Sequence, residues 1–115
     1  MMSGTQFEQG EILLVPFPFT NLSSIKKRPV LVISTSEYNK KNEDIITCGI
    51  TSNLKDNECS ILLTNKELLK GLLPKESRIK VDKLFTLEKS IVQRKFGKVK
   101  PSVLLEVRKE LFKII

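Results

Sequence analysis

Histidine and tryptophan are both absent from this 115-residue chain. Without histidine the commonest general acid or base near neutral pH is gone. The only cysteines, Cys48 and Cys59, form no Cys-x-x-Cys pair. Two thiols without histidine cannot supply the three or four protein ligands of an ordinary zinc site, so neither a metal nor a cofactor is expected. No Gly-rich phosphate loop, no Gly-x-Ser-x-Gly nucleophile motif and no close carboxylate cluster of the two-metal type is present. Aromatic residues make up only 6% of the chain, so a core must rest on Ile, Leu and Val. The longest early apolar stretch, Ile12–Phe19, is interrupted by Pro16 and Pro18 and is too short to span a bilayer. Met1–Gln9 lacks the basic-then-apolar order of a signal peptide. The expectation is a soluble, cytoplasmic protein with reduced cysteines packed in apolar strands.

What the chain has is positive charge. Lys and Arg number 20 against 13 acidic residues, a formal charge of +7. That excess favours a polyanionic or acidic partner: nucleic acid, an acidic protein or an anionic surface. A solvated basic surface without a partner is the plain alternative. There are no repeats and no linker, so residues 1–115 are read as one domain. A domain this small would be helped by dimerisation.

Short apolar runs bounded by Gly, Pro and polar clusters predict a mainly β domain. Ile12–Val15 reads as a buried strand closed by Pro16, followed by a long loop from Pro16 to Lys27. In that loop Phe17 and Phe19 are expected as half-buried anchors or, more sharply, as exposed platforms for base stacking. Pro29–Ile33 is a strand buried on both faces, Ser36–Glu43 a short helix or turn, Ile45–Thr51 a third strand, Asn53–Asn57 a turn and Ser60–Leu63 a fourth strand. Thr64 and Glu67 have the spacing of a capping box, which opens a short helix with Gly71 as its left-handed cap and Pro74 beyond it. Arg78–Asp82 alternates and reads as a strand with one solvated face. Further strands are expected at Leu84–Leu87 and Ile91–Val99, with a bend at Gly97. Pro101 suits the first turn of a final helix, whose face of Val103, Leu104, Val107, Leu111, Ile114 and Ile115 should pack on the core. Five or six strands with two small helices suggest a strongly bent antiparallel barrel.

Three places could carry chemistry. Lys26-Lys27-Arg28-Pro29 precedes a buried strand. Pro29 pushes Arg28 into an extended conformation, at the junction of a basic loop and a rigid strand. There its guanidinium could grip a phosphate in bidentate fashion. The plain alternative is a surface arginine at a strand end. Thr51-Ser52-Asn53 follows a buried strand and offers hydroxyls, though such residues also initiate turns. Arg78, Lys80 and Asp82 share one strand face, where a cation beside a carboxylate can bind phosphate and steer a hydroxyl, or simply be solvated.

Taken together, Gly10-Glu11-Ile12-Leu13-Leu14-Val15-Pro16-Phe17-Pro18-Phe19-Thr20 and Lys27-Arg28-Pro29-Val30-Leu31-Val32-Ile33 resemble the opening of MazF/PemK-like toxins. Thr51-Ser52 resembles the family's Thr-Ser pair after the next strand. Val81-Asp82-Lys83-Leu84-Phe85-Thr86-Leu87 resembles a later Asp- and Thr-containing segment. The resemblance implies an SH3-like barrel with a C-terminal helix, a homodimer, and a sequence-selective, metal-independent endoribonuclease acting on single-stranded mRNA. It also implies an acidic antitoxin partner, with DNA bound only through that antitoxin. Carried over by position, it puts catalysis on Arg28 and Thr51, with Lys80 and Asp82 at positions used for substrate contact or catalysis; Lys26 and Lys27 of the basic loop are expected to contact neighbouring phosphates, and Ser52 to have an RNA-binding or auxiliary role. The sequence departs from the family in having Lys80 where the PemK branch often has arginine. It also has Ser23 and Ser24 where an acidic residue often stands. Two other classes stay open: a toxin of the same fold that binds a protein target such as gyrase, and a plain nucleic-acid-binding barrel.

Overall fold

The computed structural model describes residues 6–18 and 25–115. Seven strands and two helices follow one another: β1 (Glu11–Pro18), β2 (Ile25–Val32), α1 (Ser36–Lys41), β3 (Asp44–Thr51), β4 (Ser60–Leu63), β5 (Leu68–Gly71), β6 (Ser77–Glu88), β7 (Arg94–Val99) and α2 (Pro101–Phe112). Every pairing is antiparallel, in the order β4-β6-β3-β2-β1-β7-β5. The two edge strands, β4 and β5, are consecutive in the chain and joined through a single 3-10 turn, Asn65–Glu67. So short a link forces the sheet to curl until its edges approach, which makes the expected mainly β barrel with a C-terminal helix.

The central strands are apolar throughout because both faces of the sheet are covered. On one face Ile12, Leu31, Cys48, Ile50, Leu63, Leu68, Ile79 and Val81 form the barrel interior, closed by Val103 and Val107 of α2. Burial there pushes the Cys48 thiol up to about 12. On the other face Leu13, Val15, Val30, Val32 and Ile45 pack under Phe7, with Leu87, Ile91 and Val92 alongside. Burying each such aliphatic side chain contributes about 1.5–3 kcal/mol.

Several expectations need correction. Pro16 and Pro18 do not end the first strand. β1 pairs with β7 only as far as Leu14, and beyond that its sole ladder partner is β2, so a missing N–H is tolerated on an edge. The loop expected from Pro16 to Lys27 is therefore a hairpin, with Lys26, Lys27 and Arg28 inside β2. Phe19, Ser23 and Ser24 lie outside the described residues, as does the side chain of Phe17.

The capping box is formed: the Thr64 N–H and hydroxyl donate to Glu67 Oε1 at 2.7 and 2.8 Å. It opens only one 3-10 turn, and Leu68–Gly71 is a strand rather than a helix. Gly71 serves close packing. Its φ is +86°, and a Cβ there would sit 2.1 Å from the Phe96 carbonyl oxygen. The strands expected at Arg78–Asp82 and Leu84–Leu87 are one strand, β6, with a register shift opposite Cys48 and Gly49. Cys59 is not in a strand but in a left-handed turn, φ +50°, before β4. Of the apolar stripe on α2, Val103 and Val107 are buried, but Ile114 and Ile115 are exposed, because the helix stops at Phe112 and its face does not continue.

Candidate active site

The central part of the sheet fixes which polar residues meet. One transverse row runs Ser60–Lys80–Gly49–Val30–Leu13–Lys95 across six strands. Side chains in one row share a face, and so do residues two positions along each strand. Two residues farther on, Thr51 pairs with Arg78 on one side, and Arg28 pairs with Val15 on the other. Carrying the β2–β3 register past Val30–Gly49 sets Arg28 level with Thr51. Arg28, Thr51 and Arg78 thus occupy neighbouring strands on the face that carries Val15 and Val30.

Arg28 and Pro29 are both half-buried, whereas Lys26 and Lys27 are exposed. Arg28 stands inside β2 instead of at a loop junction, so its backbone is held by the ladder to β1. Thr51 is half-buried and its Oγ1 accepts from the Asn53 N–H at 3.1 Å. The turn-initiating role expected for this residue is present, and the hydroxyl proton stays available for donation, because a hydroxyl both accepts and donates. Ser52 is exposed. Arg78 is half-buried, and its Nε donates to Ser60 Oγ at 2.7 Å. A guanidinium has five N–H donors, so this bond orients Arg78 while leaving its terminal nitrogens for another acceptor. Sequence reasoning placed Arg78 beside Lys80 but missed its pairing with Thr51, which only the β3–β6 register reveals.

Lys80 departs from the solvated face expected of it. It is 5% exposed. Its ammonium donates to Asp56 Oδ1 at 2.8 Å and to the Glu58 carbonyl oxygen at 2.5 Å, with Asp82 Oδ1 at 3.9 Å. The Asp56 hydrogen bond, reinforced by the Asp82 and Asp56 charges, holds the Lys80 pKa above its ordinary value against the opposing effect of burial. Lys80 therefore ties the β3–β4 loop to β6. Asp82 is more open, its side chain 32% exposed.

Among the described residues no group of three or more His, Cys, Asp or Glu side chains is placed to hold a metal ion, and no helix is long and apolar enough to cross a membrane. The arrangement suits an anionic ligand: two guanidinium groups and a hydroxyl donor on one sheet face, with the Asp82 carboxylate 3.9 Å from the Lys80 ammonium.

The fold has close relatives among solved structures. A MazE–MazF complex from Deinococcus radiodurans superposes with a TM-score of 0.77 at 21% identity, covering 96% of each chain. An endoribonuclease from a mycobacterial species gives 0.73 at 16% identity, covering 95% of this chain and 90% of that one. An endoribonuclease in complex with its cognate antitoxin, also mycobacterial, gives 0.71 at 15% identity, covering 95% and 92%. At these identities the likeness shows the fold. No curated protein matches the chain. The profile of the PemK-like, MazF-like toxins of type II toxin-antitoxin systems matches residues 8–115, almost the whole length. This chain therefore belongs to the PemK-like, MazF-like toxin family.

Proposed function

We propose that the protein is a metal-independent, sequence-selective endoribonuclease toxin that cuts single-stranded mRNA through attack by the substrate's own 2′-OH. The observation that supports this reading is that Thr51 pairs with Arg78, while Arg28 lies two residues along β2 from Val30, the partner of Gly49, on the same sheet face. RNA supplies the nucleophile, so an enzyme has only to align it, stabilise the added charge and move protons. Arg28, with Arg78 beside it, holds the phosphoryl oxygens as negative charge builds. Thr51 donates a hydrogen bond from its hydroxyl to the same oxygens or to the leaving 5′-oxygen, which takes its proton from water. Asp82 is the base candidate for the 2′-OH, because arginine, with a pKa above ~12, does not deprotonate. Lys26 and Lys27, exposed on β2, and the exposed Ser52 contact neighbouring phosphates and sugars. In this reading Lys80 acts by fixing the loop and Asp82. The P–O5′ bond breaks as the 2′-O–P bond forms, leaving a 2′,3′-cyclic phosphate and a 5′-hydroxyl.

The excess positive charge of +7 also suits an acidic antitoxin, and two of the structural relatives are toxin–antitoxin complexes. DNA would be reached only through that partner. A domain this small buries a modest share of its surface, and we read the protein as a homodimer. We read the chain as one domain working in the cytoplasm. The test is the digestion of a long RNA with and without EDTA, with Arg28→Ala as control. Cleavage that survives EDTA, yields cyclic phosphate ends and disappears in the variant is expected. Cleavage abolished by EDTA overturns the mechanism, and growth arrest without RNA cleavage moves the target to a protein.

A further inference from the structure

A second basic feature lies on the sheet face that carries Arg28. A cleft of about 800 Å³ opens where the end of α1, the β6–β7 turn and β7 converge. Its walls are joined by backbone: the Lys89 N–H donates to the Glu43 carbonyl at 2.9 Å, and the Gln93 N–H to the Leu14 carbonyl at 2.9 Å. Phe7 and Val92, members of the outer apolar cluster, form its floor. Five cationic side chains line it against two carboxylates, Glu43 and Glu88. Lys95 is occupied, 3.3 Å from Glu11 and bonded to the Gln6 carbonyl. Lys40 and Lys89 meet no carboxylate within 4 Å among the described residues, so their charge has no protein anion to neutralise it there.

The cleft and the candidate site lie over the same face of the sheet. Lys95 shares a transverse row with Val30, and Arg28 is two residues along β2 from Val30. Lys89, whose N–H bonds Glu43 beside the Asp44–Glu88 pair, lies seven residues along β3 from the Thr51–Arg78 pair, about 23 Å along the strand, a span that several nucleotides of single strand cover.

Resting on the endoribonuclease reading, we infer that this cleft is a flanking subsite for single-stranded RNA. Lys40 and Lys89 take backbone phosphates there, a few nucleotides from the bond held by Arg28. Neither lysine takes part in the chemistry. Positive charge is in excess in the cleft, five cations against two carboxylates, and the cleft lies over the sheet face that carries the site, as expected for one polyanion reaching both. An acidic peptide would need only the cleft.

The test compares the wild-type protein with a Lys40→Gln, Lys89→Gln double variant on two RNAs. One is trimmed to the bases around the mapped cut, and the other is extended on both sides. Binding of 2′-deoxy versions is measured in parallel across a salt series. The variant should show a raised KM for the extended RNA, an unchanged kcat, and unchanged kinetics on the trimmed RNA. Its slope of log affinity against log salt should fall by about 1.4, roughly 0.7 for each lost phosphate contact. If the variant matches the wild type on extended RNA in both KM and salt slope, the subsite is wrong even though the enzyme cuts. If the variant loses only its binding to a polyglutamate peptide, the cleft serves an acidic peptide and the inference falls. If the wild type cuts neither RNA but binds extended 2′-deoxy strands through these lysines, the subsite stands and the nuclease reading fails.

Discussion

The two sides of the candidate site are built by different physics. On the β1–β2 side, Arg28 is held by a backbone ladder that runs out along a proline-bearing edge, and its neighbours Lys26 and Lys27 are exposed. On the β6 side, Lys80 is buried, its ammonium is shared among Asp56, Glu58 and Asp82, and Arg78 is braced by Ser60. Cations on the first side are set in place by the β1–β2 backbone ladder. Those on the second organise the protein before any ligand arrives. Equal charge on two strands thus carries unequal roles, and burial decides which is which.

The difference can be broken most forcefully at Arg28. Arg28→Ala should lower the RNA cleavage rate by on the order of 100- to 1000-fold, as expected for one lost electrostatic contact to the transition state. Urea unfolding of the same variant should show a far smaller effect. A variant that loses activity only in proportion to its lost stability would erase the contrast.

On the other side the effect should fall on stability, with an asymmetry. Asp56→Ala strands an ammonium whose side chain is 7% exposed, whereas Lys80→Met strands a carboxylate that is 43% exposed and readily hydrated. Asp56→Ala should cost about 1–3 kcal/mol, as for a lost hydrogen bond to a charged group, and Lys80→Met distinctly less. Urea midpoints in the reverse order would mean that Lys80 is not the buried member of the pair in solution.

The pH dependence sharpens the same point. Because the folded Lys80 pKa lies above 10.5, the folded state holds that proton more tightly than the unfolded chain. Its contribution is complete below pH 10.5 and is lost as pH rises through the higher folded value. The wild-type urea midpoint should decline over that alkaline range more steeply than that of Lys80→Met.

The smallest effect belongs to the exposed lysines. Lys26→Gln and Lys27→Gln should each reduce the salt slope of single-stranded RNA binding by about 0.7 and leave the urea midpoint in place. A large loss of stability in either would show that this side, too, is built on its charges.

Where local sequence and packing agree, the sequence was readable. Ser60–Leu63 and the helix beginning at Pro101 lie where the pattern puts them, because an apolar run or a proline in a first turn means the same thing in isolation as in the fold. β1 was underestimated because proline was treated as a strand end, and only the sheet order shows that its edge needs no donor there. β5 was misread because the capping box is genuine, and nothing local says that the helix stops after one turn. In the site, strand ends and family resemblance point to Arg28 and Thr51, whereas the pairing of Thr51 with Arg78 is visible only in the β3–β6 register. The burial of Lys80 had no local signal: alternation gives a polar face, and the Asp56 that makes burial tolerable lies 24 residues away in the sequence.

The pairing of β1 with β7 has a consequence for synthesis. Glu8 and Lys98, which meet through a 2.7 Å ion pair, are 90 residues apart in the chain. At translation rates of roughly 5–20 residues per second, the first strand therefore waits about 5–20 s before the segment that completes its pairing has been made. Until β7 has been made, the sheet cannot complete its curl around β1.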